Sequence, residues 1–378
     1  MNKRLWVGLD LGALSSSICV INSVGEVVHE SDVATSVETI DATLRPLRRG
    51  NIQTIAMESG SGSFHLARGL QRLKYRVAVL DARQVATYLG IAQNKTDTND
   101  ARGIAEIARS GRSAVSEVFV KAVKFQKIRS LLATRQQIVR MRVASEAAIA
   151  ANLRLYGGKT PRVSSNAKLR STVMKEILEV RKQQKVDLRV ELEPVISICE
   201  SLRSYADHLD KVVAQTAADI EICRRFMDIP GVGPITALSF YSAICDPIRF
   251  EKSVDVGPYL GMVPRVRQSG ETVARYRISK MGNAMTRQHL NQAAMILLRP
   301  STKETRLKSW GLQVRERRGA GRAKIAVARK LSTIMLAMWK RGTVFDPTKG
   351  WEDHVAKSLP LSQSFPSGEG RPENRVLF

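Results

Sequence analysis

The order of the predicted elements in the first 115 residues constrains the fold more than any other feature of the sequence. Three apolar segments separated by turn signals predict strands that pair as an antiparallel meander. Helical and strand-like segments then alternate, which is typical of strands joined by crossover helices. The predicted strands cover residues 5–12, 16–21, 27–33, 54–58 and 76–80, and the predicted helices cover residues 37–48, 64–73 and a segment starting at residue 97. This order predicts a mixed sheet with helices on both faces.

Two acidic residues lie at strand ends of this α/β arrangement, which is that of ribonuclease-H-like (RuvC-like) folds. Asp10 follows an apolar strand segment, and Glu58 ends the predicted strand 54–58. Open α/β sheets bind ligands at strand ends, and neighbouring strands lie about 4.8 Å apart, so we expect these two carboxylates to share an ion. Taken separately, Asp10 is also compatible with a turn and Glu58 with a helix cap.

A second acidic pair, Asp97 and Asp100, stands three residues apart at the predicted start of a helix and therefore on one face. Acidic residues are common in a first helical turn because they cap it and complement its dipole, which is the ordinary explanation. With two carboxylates at strand ends and two at the start of a helix, a shared metal site is the better explanation. Asp10, Glu58, Asp97 and Asp100 supply enough hard oxygen ligands for one or two Mg²⁺ ions, which suit phosphodiester chemistry.

The charge balance indicates a polyanionic partner. Sixty lysines and arginines stand against 35 aspartates and glutamates, which gives a formal net charge of +25. Such an excess is typical of proteins that bind nucleic acid or anionic membrane surfaces. No segment suggests a membrane span and no cleavable signal is evident. The four cysteines are too scattered for a disulfide framework or a zinc site, so we expect a cytoplasmic protein with reduced thiols.

A long basic helical segment follows, at residues 118–156, as one helix or a helical pair. Between Lys121 and Arg154 it carries eight basic residues and one acid, Glu146. A charge run is usually a solvated helix face, but so strong a bias is better explained by contact with nucleic acid. The residues that we expect to make this contact are Lys121, Lys124, Lys127 and Arg135.

Residues 169–227 are again helical, with a break predicted at Pro194. Apolar residues at Leu202, Tyr205, Leu209, Val212 and Thr216 step by three and four. That spacing predicts a short coiled-coil seam, and an ordinary intramolecular helical hairpin explains it equally well.

Pro230-Gly231-Val232-Gly233-Pro234 marks a sharp turn between two helical segments. It resembles a helix-hairpin-helix element, in which glycines let backbone amides approach a DNA phosphate, so Gly231 and Gly233 are candidate contacts. A plain turn between helices is the alternative.

Ser269 stands in a predicted loop between Gln268 and Gly270. A serine hydroxyl is a poor nucleophile until a base, a metal or positive charge activates it, and no serine–histidine–aspartate arrangement is visible around it. Between residues 258 and 330 there are 17 basic residues and three acids. The expected nucleic-acid contacts here are Arg265, Arg267, Arg275, Arg277, Lys280, Arg329 and Lys330.

Together these motifs resemble the DEDD insertion-sequence transposases over nearly the whole chain. The resemblance rests on Gly8-Leu9-Asp10, Met57-Glu58-Ser59, Lys95-Thr96-Asp97-Thr98-Asn99-Asp100-Ala101, the Pro230–Pro234 turn, Tyr259-Leu260-Gly261, Pro264-Arg265, Gln268-Ser269-Gly270-Glu271, Arg277-Ile278-Ser279-Lys280, Gly282-Asn283 and Ala328-Arg329-Lys330. The form of the Gln268–Glu271 motif looks like the subgroup whose elements carry subterminal inverted repeats. Met262-Val263 departs slightly from the pattern of relatives.

The resemblance implies an RNA-guided recombinase that mobilises an insertion sequence in a bacterial, nucleoid-associated setting. A non-coding bridge or seeker RNA would pair with donor and target double-stranded DNA. Asp10, Glu58, Asp97 and Asp100 would hold Mg²⁺, and Ser269 would form a covalent DNA–serine intermediate. Active sites would be shared between protomers of a dimer or tetramer.

The resemblance also implies how the chain is divided. We expect a RuvC-like metal domain at residues 1–115 and a basic helical and coiled-coil region at 116–228. A mostly α-helical serine transposase domain would follow at 229–345. The composition after Phe345, which is polar and rich in proline, serine and glycine, predicts a flexible tail at 346–378.

Three other functions compete with this one. Gly8–Gly12 also resembles the first phosphate loop of sugar kinases and actin-like ATPases, but the second phosphate loop and the adenosine loop of that class are missing from the sequence. A Mg²⁺-dependent RuvC-like junction resolvase without serine chemistry is the nearest rival. A structural RNA-binding protein would have no use for the four carboxylates.

Overall fold

The structure is a computed structural model that describes residues 4–90, 96–111, 115–159, 166–269 and 272–350. The chain divides into two compact units, Met1–Ala122 and Val123–Phe378. Each unit has its own buried core, and each is described by itself. The finer division into four parts remains a prediction.

The first unit contains the predicted mixed sheet. Its strands lie in the order β3-β2-β1-β4-β5. The first three strands form the expected antiparallel meander, and β4 and β5 extend the sheet in parallel. The strands are β1 (Leu5–Leu11), β2 (Ser15–Ile21), β3 (Val27–Ala34), β4 (Ile52–Glu58) and β5 (Val77–Leu80).

Four helices pack on this sheet, one more than predicted. They are α1 (Val37–Leu44), α2 (Ser63–Arg72), α3 (Ala82–Leu89) and α4 (Asp97–Ser110). The unpredicted α3 begins where the Asp81 side chain accepts the backbone N–H groups of Arg83 and Gln84. Helix α1 is shorter than the predicted 37–48 because Pro46 has no N–H group to continue the helical hydrogen bonds. The chain continues as a 3₁₀ turn, Arg45–Leu47, and leaves the helical conformation at Arg48, which has a φ of 61°.

The two faces of the sheet have different coverings. Leu9, Ile55 and Met57 are fully buried in the cluster that includes α1 and α2. The opposite face meets α4, and Gly8 makes the closest approach. A Cβ atom at Gly8 would lie 2.0 Å from the backbone oxygen of Ala101 and 2.4 Å from the backbone nitrogen of Ala105. Only glycine therefore allows α4 to rest directly on β1.

We expect Gly8→Ala to destabilise the first unit by about 1–3 kcal/mol, because the new methyl group meets helix backbone that cannot yield locally. Denaturant unfolding of the purified protein measures the change. Gly60→Ala is the matched control, since a Cβ there has no heavy atom within 4 Å and should change the free energy of unfolding by less than about 0.5 kcal/mol. Equal effects of the two changes would contradict the close packing of α4.

The second unit begins with the long basic helix, which is single and continuous: α5 (Val123–Leu155). Two more helices follow, α6 (Asn166–Gln184) and α7 (Arg189–Asp219). The predicted break at Pro194 is wrong, because this proline lies inside α7. The chain breaks instead before α7, where Lys185 adopts a φ of 60°. Pro194 removes one helical hydrogen bond near the start of α7, and burial of Leu192 and Ile196 offsets that loss.

The coiled-coil seam is not confirmed. Leu202 is buried as expected, but Tyr205 is 61% exposed. The side of α7 that faces its neighbours carries Ala206, Val213 and Ala217, all nearly inaccessible. The small alanine side chains allow neighbouring helices of the unit to pack closely. The spacing of the large apolar residues in the sequence did not indicate this packing.

The rest of the second unit is mostly helical, as expected, but it also contains an unpredicted two-stranded hairpin. Its core includes a stack of Tyr241 on Trp339, with ring centroids 5.1 Å apart, flanked by Phe125 and Phe226. The elements are α8 (Glu221–Met227), α9 (Pro234–Ile244), α10 (Val256–Tyr259), β6 (Pro264–Ser269), β7 (Thr272–Ile278), α11 (Ala284–Leu297), α12 (Arg306–Arg318) and α13 (Ala320–Arg341).

Within the described ranges, every helix is too short or too polar to be a candidate membrane span. Most of the predicted tail, residues 351–378, lies outside those ranges.

Candidate active site

Asp10 and Glu58 are neighbours on adjacent parallel strands. The register of β1 and β4 pairs Gly8 with Ala56 and Leu9 with Met57, and the two acids come next on their strands. Neighbouring strands are about 4.8 Å apart, and residues in the same register present their side chains on the same face. Asp10 and Glu58 therefore share the face that carries Gly8 and Ala56, which is the face under α4.

Helix α4 runs antiparallel to β1, which brings its first turn toward these acids. Ala101 and Ala105 lie over Gly8, in the middle of the strand. The last turn of α4 lies beside the turn that joins β2 and β3, where Arg109 donates to the Ser23 carbonyl at 3.2 Å. That turn is next to the beginning of β1, so the start of α4 is at the strand end that bears Asp10.

Asp97 and Asp100 occupy this first turn of α4, as the sequence predicts. The Thr96 side chain caps the helix by accepting the Asn99 backbone N–H at 3.2 Å. Asp97 is exposed and Asp100 is partly buried. The fold thus directs two pairs of acids to one end of the sheet. Among the described residues, however, no three histidine, cysteine, aspartate or glutamate side chains are grouped closely enough to hold a metal ion.

Two further polar residues lie in line with Asp10 on the next two strands and were not predicted as part of the site. Ser17 pairs with Asp10 across β1 and β2, and Asp32 pairs with Ser17 across β2 and β3. The Ser17 hydroxyl donates to Asp32 at 2.5 Å. Glu58, Asp10, Ser17 and Asp32 therefore follow one another across four strands. These two residues could have been found from the sequence if the register of the three meander strands had been assigned, because that register places Ser17 and Asp32 in line with Asp10.

The cysteines are poor candidates for a nucleophile. All four are buried. Burial raises the pKa of the Cys223 thiol to about 12, and burial together with the Glu30 carboxylate raises that of Cys19 to about 12. These two thiols stay protonated at neutral pH, and a protonated thiol is a weak nucleophile.

Ser269 is the last residue of β6, not a member of a free loop as predicted. Its backbone pairs with Thr272 of β7, so it stands at the tip of the hairpin. The second half of β7 carries a strand signal: Arg275, Tyr276, Arg277 and Ile278 alternate basic residues with an aromatic or β-branched one, a period of two that favours a strand.

Two of the quoted motifs meet at the base of this hairpin. A Cβ atom on Gly261, which has a φ of 68°, would lie 1.9 Å from the Met281 carbonyl oxygen. A Cβ atom on Gly282, with a φ of 84°, would lie 2.1 Å from the Tyr259 carbonyl oxygen. Arg287 also donates to the Leu260 carbonyl at 3.0 Å. These contacts hold the segments before β6 and after β7 together and so fix the base of the hairpin.

The expected nucleic-acid residues fall into two groups. Five have exposed side chains: Lys124, Lys127, Arg265, Arg277 and Lys280. Of these, Arg265 also donates to the Ser279 carbonyl at 3.1 Å. Four are less accessible or have neighbours within the protein: Lys121 is half-buried, Arg135 donates to Asp210 on α7, Arg329 packs on Gly257, and Lys330 lies 5.9 Å from the ring centre of Trp310. The Arg267 and Arg275 side chains lie outside the described part.

The glycines of the Pro230–Pro234 turn also differ in role. Gly231 has a φ of 90°, and a Cβ there would lie 2.5 Å from the Ala293 carbonyl oxygen of α11. Its close backbone approach therefore serves packing inside the unit. Gly233 has no heavy atom within 4 Å of its Cβ position and precedes α9 without a side-chain cap. The helix-hairpin-helix assignment is not confirmed.

Comparison with known families covers both units. Residues 7–157 match a family model named DEDD_Tnp_IS110 and described as a transposase. Residues 223–308 match the model described as transposase IS116/IS110/IS902 family. The four candidate carboxylates lie inside the first match and Ser269 inside the second.

Individual relatives agree with these models. The chain is 31% identical over 340 residues to the transposase for insertion sequence element IS1111A of Coxiella burnetii, covering 89% of each chain. It is 28% identical to the transposase for element IS1328 of Yersinia enterocolitica, over 77% of this chain and 85% of that one. The probable family 20 transposase of Pseudomonas aeruginosa is 26% identical, over 78% and 86% respectively. The chain therefore belongs to the IS110-type DEDD insertion-sequence transposases, and it is a DNA transposase.

Proposed function

We propose that this transposase cuts and rejoins DNA under the direction of a guide RNA, using a Mg²⁺-dependent carboxylate site and a serine nucleophile. The observation that carries the proposal is the convergence of Asp10 and Glu58 with the first turn of α4. Family membership supports the DNA chemistry, and the exposed basic residues support contact with nucleic acid.

The chemistry of the carboxylates fits a divalent cation. Asp10, Glu58, Asp97 and Asp100 offer only oxygen donors, which Mg²⁺ prefers. When bound, the cation would neutralise charge on the phosphodiester that reacts. The Gly8 contact keeps α4 on β1 and so holds Asp97 and Asp100 at the same sheet end as Asp10.

Ser269 is proposed as the nucleophile that joins the protein to a DNA end. The hairpin tip presents it beyond the braced base formed by Gly261 and Gly282. Two exposed cations near that base, Arg265 and Lys280, supply positive charge that favours a phosphate backbone. Attack by the serine oxygen would break one phosphorus–oxygen bond of the DNA backbone and release a deoxyribose hydroxyl as the leaving group. The new serine–phosphate bond would conserve the energy of the broken bond and allow rejoining without ATP.

The guide RNA is proposed to bind along the exposed basic side of α5, and the protein is proposed to act as a homo-oligomer. Lys124 and Lys127 are exposed and one helical turn apart, so both reach the same side of the helix. Arg135 is not suited to this role, because its guanidinium is engaged by Asp210.

We expect the double charge reversal Lys124→Glu and Lys127→Glu to weaken binding of the co-purified RNA. Each lost phosphate contact should make the slope of log affinity against log salt shallower by about 0.7 to 0.9. Filter binding over a salt series measures both quantities. Reversal of Lys182 and Lys185, which line a surface pocket on α6, removes the same charge and should leave the slope unchanged. An RNA affinity insensitive to the α5 reversal would contradict this role.

One experiment tests the proposal as a whole. The RNA that co-purifies with the protein is sequenced and compared with the DNA flanking its gene, and recombination is then assayed with that RNA present, absent or altered in its pairing segments. Retargeting by the altered RNA is expected. Cleavage of branched DNA without any RNA and without rejoining would favour the junction resolvase instead.

A further inference from the structure

The turn between α12 and α13 carries an unusual concentration of positive charge. Four arginines lie within eight residues, and all four are exposed: Arg315, Arg317, Arg318 and Arg322. Glu316 is the only acid among them. We refer to residues 315–322 as the arginine tip. It lies beyond both segments that match the transposase family models, which end at residues 157 and 308.

Some other arginines of the second unit are neutralised by carboxylates, in contrast to the arginine tip. Arg170 is paired with Glu193 and Glu200, and Arg189 is paired with Asp187. Within the described residues, none of the four tip arginines forms an ion pair. Like charges held together without counter-ions repel one another, so this arrangement is more stable when a polyanion is bound.

A rigid support holds the tip. Gly311 allows α12 to rest on its neighbours, since a Cβ there would lie 2.6 Å from the Val327 side chain and 2.8 Å from that of Leu298. Ala323 and Val327 of α13 are fully buried. At the turn itself, Gly319 and Gly321 have no heavy atom of a described residue within 4 Å of their Cβ positions, so no described part of the unit covers the backbone there.

We propose that the arginine tip binds the phosphate backbone of double-stranded DNA. A guanidinium group matches two phosphate oxygens in one plane, which makes arginine the residue of choice for such contacts. A helix with its side chains is about 10–12 Å across, so two helices packed about 8–10 Å apart span about 18–22 Å. This tip is too broad for the roughly 12 Å major groove, so it contacts phosphates on the groove edges without reading bases. Binding at this site is therefore independent of sequence.

This inference extends the proposed function by naming a DNA-holding surface, and it does not depend on the serine or carboxylate chemistry. The test uses the full-length protein and a fluorescein-labelled duplex of unrelated sequence, with affinity followed by anisotropy over a salt series. We expect the triple change Arg315→Ala, Arg318→Ala and Arg322→Ala to weaken binding at least about tenfold near physiological salt. The salt slope should become shallower by about two to three, or about 0.9 for each lost phosphate contact.

The control removes three exposed charges elsewhere, by Arg181→Ala, Lys182→Ala and Lys185→Ala on and after α6. It should change DNA affinity less than about twofold, because it removes the same number of charges from a different surface. Replacing the tip arginines with lysine should give an intermediate affinity, because charge is kept and the planar fork is lost. Circular dichroism checks that each variant keeps its helices.

Three results would overturn the proposal: an unchanged salt slope in the triple alanine variant, an equal loss in the α6 control, or a loss of affinity for structured RNA but not for duplex DNA. If the serine proposal is wrong, a different measurement changes. The tip variants should still form the covalent adduct at saturating DNA, whereas a wrong nucleophile changes the adduct and leaves duplex affinity intact.

Discussion

Ser269→Ala is expected to abolish the covalent protein–DNA adduct completely, while the protein still folds and binds RNA and DNA. The alanine side chain has no oxygen that can attack phosphorus, so no phosphoserine bond can form. The adduct is detected by denaturing electrophoresis of the protein on end-labelled DNA. Strand transfer should fall at least about 10³-fold with it, as expected when a nucleophile is removed.

Two other serines of the second unit are controls for Ser269. Ser279 follows β7, where its backbone N–H donates to the Val263 carbonyl, so a change to alanine keeps that contact. Ser239 is buried, and its hydroxyl donates to Thr286 at 3.1 Å. Ser279→Ala and Ser239→Ala should both retain the adduct. If Ser269→Ala still forms it, the nucleophile lies elsewhere; if DNA ends are cut but never linked to wild-type protein, water is the nucleophile.

Asp10→Asn is expected to reduce strand transfer by at least about 10³-fold and to weaken divalent-metal binding by at least about tenfold. The amide has nearly the shape of the carboxylate but no negative charge, so packing on β1 is kept and attraction for a cation is lost. Metal binding is measured by Mn²⁺ electron paramagnetic resonance without DNA, which separates it from catalysis. Glu58→Gln and Asp97→Asn should behave similarly.

Asp81→Asn is the matched control. Asp81 follows β5 at the same end of the sheet, but its carboxylate caps α3 through the backbone N–H groups of Arg83 and Gln84. Asparagine caps a helix as well as aspartate does, so this variant should keep its stability, its Mn²⁺ affinity and its strand transfer. Full recombination by Asp10→Asn, or an equal loss in Asp81→Asn, would remove the carboxylates from the proposed mechanism.

Much of the first unit could be predicted from sequence because its signals are local. Turn residues separate the three meander strands, and apolar runs mark β4 and β5. The same signals put Asp10 and Glu58 at strand ends and Asp97 at the start of α4. Helix α3 was missed because its eight residues leave only a weak helical period, and Asp81 was not recognised as its cap.

The hairpin that bears Ser269 was missed for a different reason. Glycine and basic residues in this segment suggest a loop, and the alternation in β7 is hard to recognise because it covers only four residues, two of them arginines. Two strands are stable here because Gly261 and Gly282 bring their flanking segments together. That contact joins residues distant in sequence, and no local pattern records it.

The sequence by itself determined the family, the chemistry of the candidate residues and the order of the elements, since these depend on residue identity and short-range periodicity. Tertiary structure alone decided which side chains remain accessible. Arg135 is engaged by Asp210 and Gly231 packs on α11, whereas the arginines at the α12–α13 turn stay exposed. Tertiary structure also decided the direction in which α4 crosses β1, because the backbone of α4 packs directly on Gly8, which has no side chain. Accessibility and direction arise from contacts between distant segments, and a linear pattern does not specify them.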